Sequence, residues 1–313
     1  MPLRILVVED FEPFRRYLCS VLTQDGRYKL IGTAADGMEG VYKAAELQPD
    51  LVLLDVGLPK VNGLETARQI RNVAPVAKLL FISQEASFDV VEAALRAGAI
   101  GYIHKLSLGK DLLPGIECAL RDGYFISGLL KEKANETSGG PSARHEVQFY
   151  SDDAIILQSL ADFILSHLKE GKATIMAVTE QHRAGVFERL NAGGVDVDQA
   201  IATGSLIPLN AVETLARFMD EETLSPGLFF DVMGELIETA ARKTHRVAAC
   251  GEIAPQLAAE GKPINAIRLE QLWDLMVHRF CLDTLCAYSS AHVEKDSEVF
   301  RLVCSEHSAV YLT

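Results

Sequence analysis

Leu53–Glu65 reads LLDVGLPKVNGLE, and the first half of the chain is organised around it. The apolar run Leu51–Asp55 is strand-length and closes on a carboxylate, and an amphipathic, helix-like segment near 63–73 follows. The same couplet recurs on either side. Strand candidates are Leu3–Val8, Lys29–Ala34, Lys78–Ser83 and Ile100–His104, with helix-like segments near 12–24, 38–47, 87–97 and 109–122. Strands this apolar have no wet face. Five βα units in succession therefore predict a parallel sheet covered by helices on both sides.

In such a sheet, ligands sit beyond the carboxyl ends of the strands. Those ends carry Glu9-Asp10, Asp55, Ser83 and, just past the fifth strand, Lys105. Three carboxylates brought together repel, and a hard divalent cation with oxygen ligands relieves them. Mg2+ suits the set, because it accepts few protein carboxylates and keeps waters and phosphoryl oxygens as its other ligands. A lysine alongside supplies a compact positive charge, and a serine supplies a hydrogen bond. A carboxylate can itself accept a phosphoryl group. Taken singly, these residues have plainer readings: Glu9 or Asp10 capping the first helix, Ser83 capping the fourth, Lys105 a surface charge. Four strand ends that all supply the required type favour the phosphoryl site.

Glu9-Asp10, LLDVGLPKVNGLE, Ser83, and Tyr102 three places before Lys105 resemble the receiver domains of two-component response regulators, in order and in spacing. The resemblance covers residues 1–126 and implies a (βα)5 flavodoxin-like fold. It implies that Asp55 is phosphorylated by a sensor histidine kinase or phosphotransfer protein. Glu9, Asp10 and Asp55, with the backbone carbonyl of Gly57, would hold Mg2+, and Lys105 would pair with the phosphoryl group. Ser83 and Tyr102 match the family's switch pair. The family usually has a proline after the lysine, and here Leu106 stands there, so a cis peptide is not expected. The stretch from Ala97 to Ser127 is most similar to the subgroup that carries a helix-turn-helix output.

Composition changes at KEKANETSGGPSAR, Lys131–Arg144, where charge, Ser and Gly replace apolar periodicity. Residues 127–144 are expected to be a linker. Alternation then resumes over 145–313. Strands are expected at Glu146–Tyr150, Thr174–Thr179, Leu206–Leu209, Val247–Cys250 and Thr284–Tyr288, and helices near 152–169, 181–192, 211–222, 226–244 and 263–280. This second α/β domain is too long for a helix-turn-helix and shows no Arg/Lys-rich recognition helix. It has no GxxxxGK[ST], and Ser151 or Asp152 reads as a helix cap. His278, Cys281 and Cys286 lack the spacing of a zinc knuckle.

HEVQFYSDD from His145, the His182-Arg183 pair, GSLIPLNAVETLARFM from Gly204, Gly251-Glu252, LEQLWDLM from Leu269 and LCAY ending at Tyr288 resemble the MEDS (methanogen/methylotroph sensory) domain. That resemblance implies a RecA/KaiC-like fold without a phosphate loop and a role in sensing small, often hydrocarbon-derived ligands. If the strand ends enclose a pocket, Tyr150, Thr179, Arg183, Glu252 and Tyr288 are its polar candidates and Trp273 an apolar wall. Plainer readings place Trp273 and Tyr288 in the core, Glu252 as a helix cap and Arg183 in solvent.

Bulk properties narrow the classes. A formal charge of −13 over 313 residues repels nucleic-acid phosphates, so direct DNA binding is not expected. Six scattered cysteines without a CxxC pair read as reduced thiols of a cytoplasmic protein. No signal peptide is expected, and no apolar run reaches the ~20 residues that a membrane span needs. The reading is a phospho-accepting, non-enzymatic signalling protein with a sensory second domain. Two other readings stay open: an adaptor whose second domain docks a protein partner, and an ATP-binding RecA/KaiC-like effector. Homodimerisation also stays open.

Overall fold

The computed structural model describes residues 1–128, 143–244 and 246–313; most of the expected linker lies outside them. The chain divides into two compact units, residues 1–133 and 134–313.

The first unit has strands β1 (Leu3–Val8), β2 (Tyr28–Ala34), β3 (Leu51–Asp55), β4 (Lys78–Ser83), β5 (Gly101–His104) and β6 (Phe125–Ile126). They form one sheet in the order β2-β1-β3-β4-β5-β6, and every neighbouring pair is parallel. Parallel neighbours require crossovers, here the helices α1 (Glu12–Thr23), α2 (Gly37–Leu47), α3 (Gly63–Val73), α4 (Phe88–Arg96) and α5 (Leu108–Leu120). On one face Ile5, Val7, Leu53 and Ile82 pack with Leu18 and Leu22 of α1 and Leu112 and Ile116 of α5. The alternate residues Leu6, Val8, Leu54 and Phe81 are equally buried on the other face. That double burial is why the strands read as unbroken apolar runs.

Strand β6 was not expected, because two residues are too short to show a period. It extends the sheet through the pairs Gly101↔Phe125 and Tyr102↔Ile126. The following Ser127 is fully buried, and its Oγ accepts from the His104 amide at 3.0 Å and donates to Asp111 Oδ2 at 2.6 Å. The chain therefore leaves this unit pinned to β5.

The second unit has strands β7 (Arg144–Tyr150), β8 (Ala173–Val178), β9 (Leu206–Asn210), β12 (Val247–Gly251), β13 (Asp283–Ser289) and β14 (Ala309–Leu312) in one parallel sheet, ordered β14-β7-β13-β12-β8-β9. A separate antiparallel pair joins β10 (Met219–Asp220) and β11 (Thr223–Leu224). The helices are α6 (Asp153–Lys169), α7 (Glu180–Ala192), α8 (Val197–Thr203), α9 (Ala211–Ala216), α10 (Pro226–Thr244), α11 (Ile253–Ala259), α12 (Pro263–Phe280) and α13 (Glu298–Ser305).

The short helices α8 and α11 were not expected, and two further differences have local causes. The helix expected over 211–222 stops at Ala216, because Glu221 turns through a positive φ of 53° and folds its flanks into the β10–β11 hairpin. The terminal α13 and β14 went unread, since β14 carries the exposed Tyr311 and Leu312 at a sheet edge and shows neither a buried run nor a clean alternation.

A buried charge cluster ties the sheet's amino-terminal end together. Lys172, only 8% exposed, donates to Asp283 Oδ2 at 2.7 Å, and His167 Nε2 and Arg144 Nε reach Asp283 at 3.4 and 3.2 Å. Burial opposes ionisation of Asp283, but the hydrogen bonds from His167, Lys172 and Arg144 win and hold its carboxyl well below the usual range. A depressed folded-state pKa contributes stability above the unfolded value near 3.8 and loses it as pH falls toward the folded value. Asp283→Ala leaves the mostly buried Lys172 with only the exposed Glu170 at 2.8 Å as a partner and is expected to cost about 2 kcal/mol in urea denaturation at neutral pH. The difference from wild type should shrink below about pH 4; an undiminished difference there would contradict the ion-pair account.

Candidate functional site

The carboxyl ends of β1 and β3 bring Glu9, Asp10 and Asp55 together, with one ligand oxygen of each within 4.8 Å of the others. The LLDVGLPKVNGLE motif explains how. Asn62 caps α3 by accepting from the Glu65 amide, and Gly63 packs so close that a Cβ there would lie 2.0 Å from the Asp55 carbonyl oxygen. Only glycine fits beneath the acceptor loop. At Gly57 a Cβ would stand 3.3 Å from Asp55 Oδ2, so a bare backbone faces the carboxylate.

Lys105 reaches back over this group. Its Nζ lies 2.8 Å from Glu9 Oε2 and 3.1 Å from Asp55 Oδ1, and 4.6 Å from the centroid of the Phe14 ring. Glu9 is 1% exposed and Asp55 6%. Burial raises both carboxyls above their ordinary values, and the nearby ammonium of Lys105 only partly offsets it. Glu9 Oε2 is buried and, despite the ion pair, makes no aligned hydrogen bond. An oxygen-rich, partly unsatisfied acidic group is what a hard divalent ion fits.

The plainer roles are not adopted. No side chain caps α1, whose N-cap is Phe11; Ser87 caps α4; and Lys105 is largely buried. Ser83 Oγ accepts from the Glu85 amide at 3.1 Å, while Tyr102 OH donates to the Glu85 carbonyl at 3.0 Å. The switch pair thus holds one loop residue from both sides. Tyr102 is fully buried with its ring 6.3 Å from that of Phe81, and burial pushes its phenol up to about 12. The Lys105–Leu106 peptide is trans, as expected from the missing proline.

In the second unit, the sequence candidates separate into distinct groups. Tyr150, Thr179 and Glu252 converge. Glu252 accepts from Tyr150 OH at 3.1 Å and from the Thr179 amide and hydroxyl at 3.1 and 3.3 Å. His182 Nδ1, not among the expected site residues, joins at 2.8 Å, and the Glu252 carboxylate holds its imidazole above the ordinary value. Glu252 is the N-cap residue of α11, yet its side chain makes no cap hydrogen bond and serves this cluster instead. The cluster stands where β8 leads outward to β9 and β12 leads back to β13, a point of diverging connections where α/β sheets bind ligands. Gly251 makes the approach: with φ 156°, its Cβ would lie 2.0 Å from the Ala177 carbonyl.

The other candidates lie elsewhere. Arg183 pairs with Glu180 at 3.2 Å. Trp273 lines an apolar cavity of about 50 Å³ with Phe229, Met233 and Leu285. Tyr288 is buried on another part of the sheet and donates to Glu270 at 2.7 Å, beside His145, Cys286 and His307. The sequence set aside Cys286 with His278 and Cys281 for want of spacing, and neither of those two belongs to this cluster; the partners come from β7, α12 and the segment before β14.

The comparisons agree with this division. The profile of the response regulator receiver domain matches residues 5–116, and that of MEDS, the MEthanogen/methylotroph, DcmR Sensory domain, matches residues 144–307. The second match covers over half of the chain, which belongs to the MEDS family and carries a response-regulator receiver in front of it. The Transcriptional regulatory protein PdtaR of Mycobacterium tuberculosis (strain ATCC 25618 / H37Rv) is 38% identical over 136 residues, covering 43% of this chain and 64% of that protein. A protein-glutamate methylesterase/protein-glutamine glutaminase of Geobacter sulfurreducens is 41% identical over 108 residues, covering 33% of this chain and 29% of the relative. This chain thus spans less than two thirds of the length of either. The solved LuxR-family two-component response regulator from Aurantimonas sp. SI85-9A1 is 27% identical with a TM-score of 0.42, over 45% of this chain and all of that one. Among the described residues, no helix is long and apolar enough to cross a membrane.

A raised folded-state pKa means that the neutral form of Asp55 is favoured, a contribution present below about pH 4 and lost as pH rises through the folded value. At neutral pH the ionised side chain therefore costs stability. Asp55→Asn is expected to raise the unfolding free energy of chelator-treated protein at pH 7. A lowered midpoint would contradict the reading of Asp55 as a desolvated, crowded carboxylate.

Proposed function

We propose that this chain is a two-component response regulator, phosphorylated on Asp55, in which the phosphorylation state controls the MEDS domain rather than a DNA-binding one. One observation carries the reading: a single ammonium, Lys105, bridges Asp55 and Glu9 while Asp10 completes the acidic group. Glu9, Asp10, Asp55 and the Gly57 carbonyl would hold Mg2+, which when bound neutralises charge on the transferring phosphoryl oxygens.

The chain's own residues supply the rest. An Asp55 carboxylate oxygen attacks phosphorus in a phosphohistidine donor; the P–N bond breaks, the imidazole leaves, and an acyl phosphate forms. Lys105 exchanges its ion pair with Asp55 for a phosphoryl oxygen. The Ser83 hydroxyl turns from the Glu85 amide to another phosphoryl oxygen, releasing one of the two holds on the Glu85 loop. Tyr102, the other hold, lies on β5 and is paired with β6, so its repacking bears on the strand by which the chain leaves the receiver.

We further read the domains as a receiver and a MEDS domain joined by a linker, the expected 127–144 shortened at both ends because Ser127 is buried in the receiver and β7 begins at Arg144, the whole cytoplasmic, non-enzymatic beyond autodephosphorylation, and met by a sensor histidine kinase or phosphotransfer protein. The second domain is read as RecA/KaiC-like without a phosphate loop. Its first strand lies inside an all-parallel sheet, and the turn into α6 lacks glycine and is capped by Asp152. Its ligand is a small, largely apolar molecule, for which the cavity beside Trp273 and the Glu252 cluster are the two receiving places.

Incubation of the full chain with an acyl phosphate donor and Mg2+ is expected to add one phosphoryl group by intact mass. The addition should vanish with EDTA and in Asp55→Asn, and the phosphorylated fraction should fall at least about tenfold in Lys105→Ala. Full labelling of Asp55→Asn would overturn the assignment.

A further inference from the structure

The acidic receiver site is not the only place where metal-binding side chains converge. His145, Glu270, Cys286 and His307 each bring one donor atom within 4.8 Å of the other three. The sheet explains the convergence. In the register of β7 with β13, His145 pairs with Thr284, so His145, Cys286 and Tyr288 project from one face. Helix α12 crosses that face and delivers Glu270 and, one turn on, Asp274. Ser308 straps the last donor in place: its amide and hydroxyl donate to the His145 carbonyl at 2.6 and 2.8 Å, beside His307.

Four of the six distances between these donors match the edges of a tetrahedron around a metal, and the other two lie within 4.8 Å. Bonds of about 2.0–2.1 Å to nitrogen or oxygen and about 2.3 Å to sulfur imply edges of about 3.3–3.4 Å between N and O donors and about 3.5–3.6 Å to sulfur. The structure shows His145 Nε2 to Glu270 Oε2 at 3.3 Å and His307 Nε2 to Glu270 Oε2 at 3.4 Å. Cys286 Sγ lies 3.5 Å from His145 Nε2 and 3.4 Å from Glu270 Oε2.

A second observation is independent of spacing. The His307 side chain has no exposed surface, and its Nε2 has no hydrogen-bond partner. Its Nδ1 meets the Val303 carbonyl at 2.7 Å, which requires a proton on Nδ1, so in the neutral imidazole the Nε2 lone pair faces the cluster. The outer contacts have the matching pattern. His145 Nδ1 lies 3.4 Å from Asp274 Oδ1 without an aligned hydrogen bond, and Tyr288 OH occupies Glu270 Oε1, leaving Oε2 for the cluster.

We propose that these four side chains bind one divalent transition-metal ion, zinc by the donor set, as a buried centre of the MEDS domain. Two neutral imidazoles, one carboxylate and one thiolate around a doubly charged ion sum to zero, the condition under which a dry interior tolerates charge. Binding replaces the Cys286 S–H···Glu270 contact by metal–sulfur and metal–oxygen bonds and releases the thiol proton to solvent. Glu270 and Cys286 also form part of the wall of the apolar cavity under Trp273. A molecule entering that cavity meets the backs of two metal ligands.

The inference stands independently of Asp55. The full chain, purified without chelator, is expected to carry about one zinc ion by elemental analysis, and the zinc-stripped chain to bind one Co2+ with a thiolate-to-cobalt charge-transfer band. The all-oxygen receiver site cannot produce that band. Cys286→Ser should lose it, Cys118→Ser should keep it, and Tyr288→Phe should weaken metal binding at least about tenfold by freeing Glu270. Absence of saturable metal binding outside the receiver, or a band that survives in Cys286→Ser, would overturn the proposal and leave an imidazole–carboxylate network only. If Cys286→Ser does not fold, the wild-type cobalt spectrum decides: a band supports the site, and a bandless spectrum overturns it.

Discussion

The receiver depends on one electrostatic constraint: carboxylates that burial makes expensive to ionise are gathered where a single lysine can answer only part of their charge. Lys105 sits within 3.1 Å of both Glu9 and Asp55, yet both carboxyls remain raised. A group in that condition gains from added positive charge and from any chemistry that redistributes its negative charge. The surrounding scaffold serves to keep it so. Strands buried on both faces fix where β1, β3, β4 and β5 end, and the tight turn at Gly63 leaves Asp55 no room to withdraw.

From that constraint a mechanical consequence follows. Ser83 and Tyr102 share Glu85, and Tyr102 shares its strand's edge with β6. A change in where the Ser83 hydroxyl points therefore alters what holds Tyr102, and Tyr102 sits one hydrogen-bonded strand away from the exit of the chain. Ser127, locked between His104 and Asp111, makes that exit part of the receiver's core rather than a loose tether. Whether energy passes from one site to the other is a matter of coupling free energy, and β5–β6 is the element both ends would bias.

Much of this was legible in the sequence, for physical reasons that also mark where legibility ended. Doubly buried strands announce themselves as apolar runs, and their carboxyl ends expose functional residues in order, so Glu9, Asp10, Asp55, Ser83 and Lys105 could be placed together without coordinates. Strand β6 could not be read, because its two residues carry no period and Ser127 gives no local sign of its burial. In the second domain five of the six strands of the parallel sheet were again visible, but which polar residues meet was not. Tyr150, Thr179 and Glu252 do converge, whereas Tyr288 belongs to a different cluster and Arg183 to a helical ion pair. Cys286 was weighed against its sequence neighbours His278 and Cys281, while its true partners lie 141 positions upstream, at His145, and past the last helix, at His307. Parallel sheets join residues remote in sequence, so spacing rules drawn from compact metal motifs had nothing to detect.

Amide hydrogen exchange on the full chain, with and without beryllium fluoride and Mg2+ as a mimic of the phosphorylated state, tests the account most directly. The account predicts altered protection at residues 51–57 and 83–85, at β5 and β6, and within residues 145–313. Changes confined to the surroundings of Asp55 and Ser83, with β6 and the MEDS domain untouched, would contradict it.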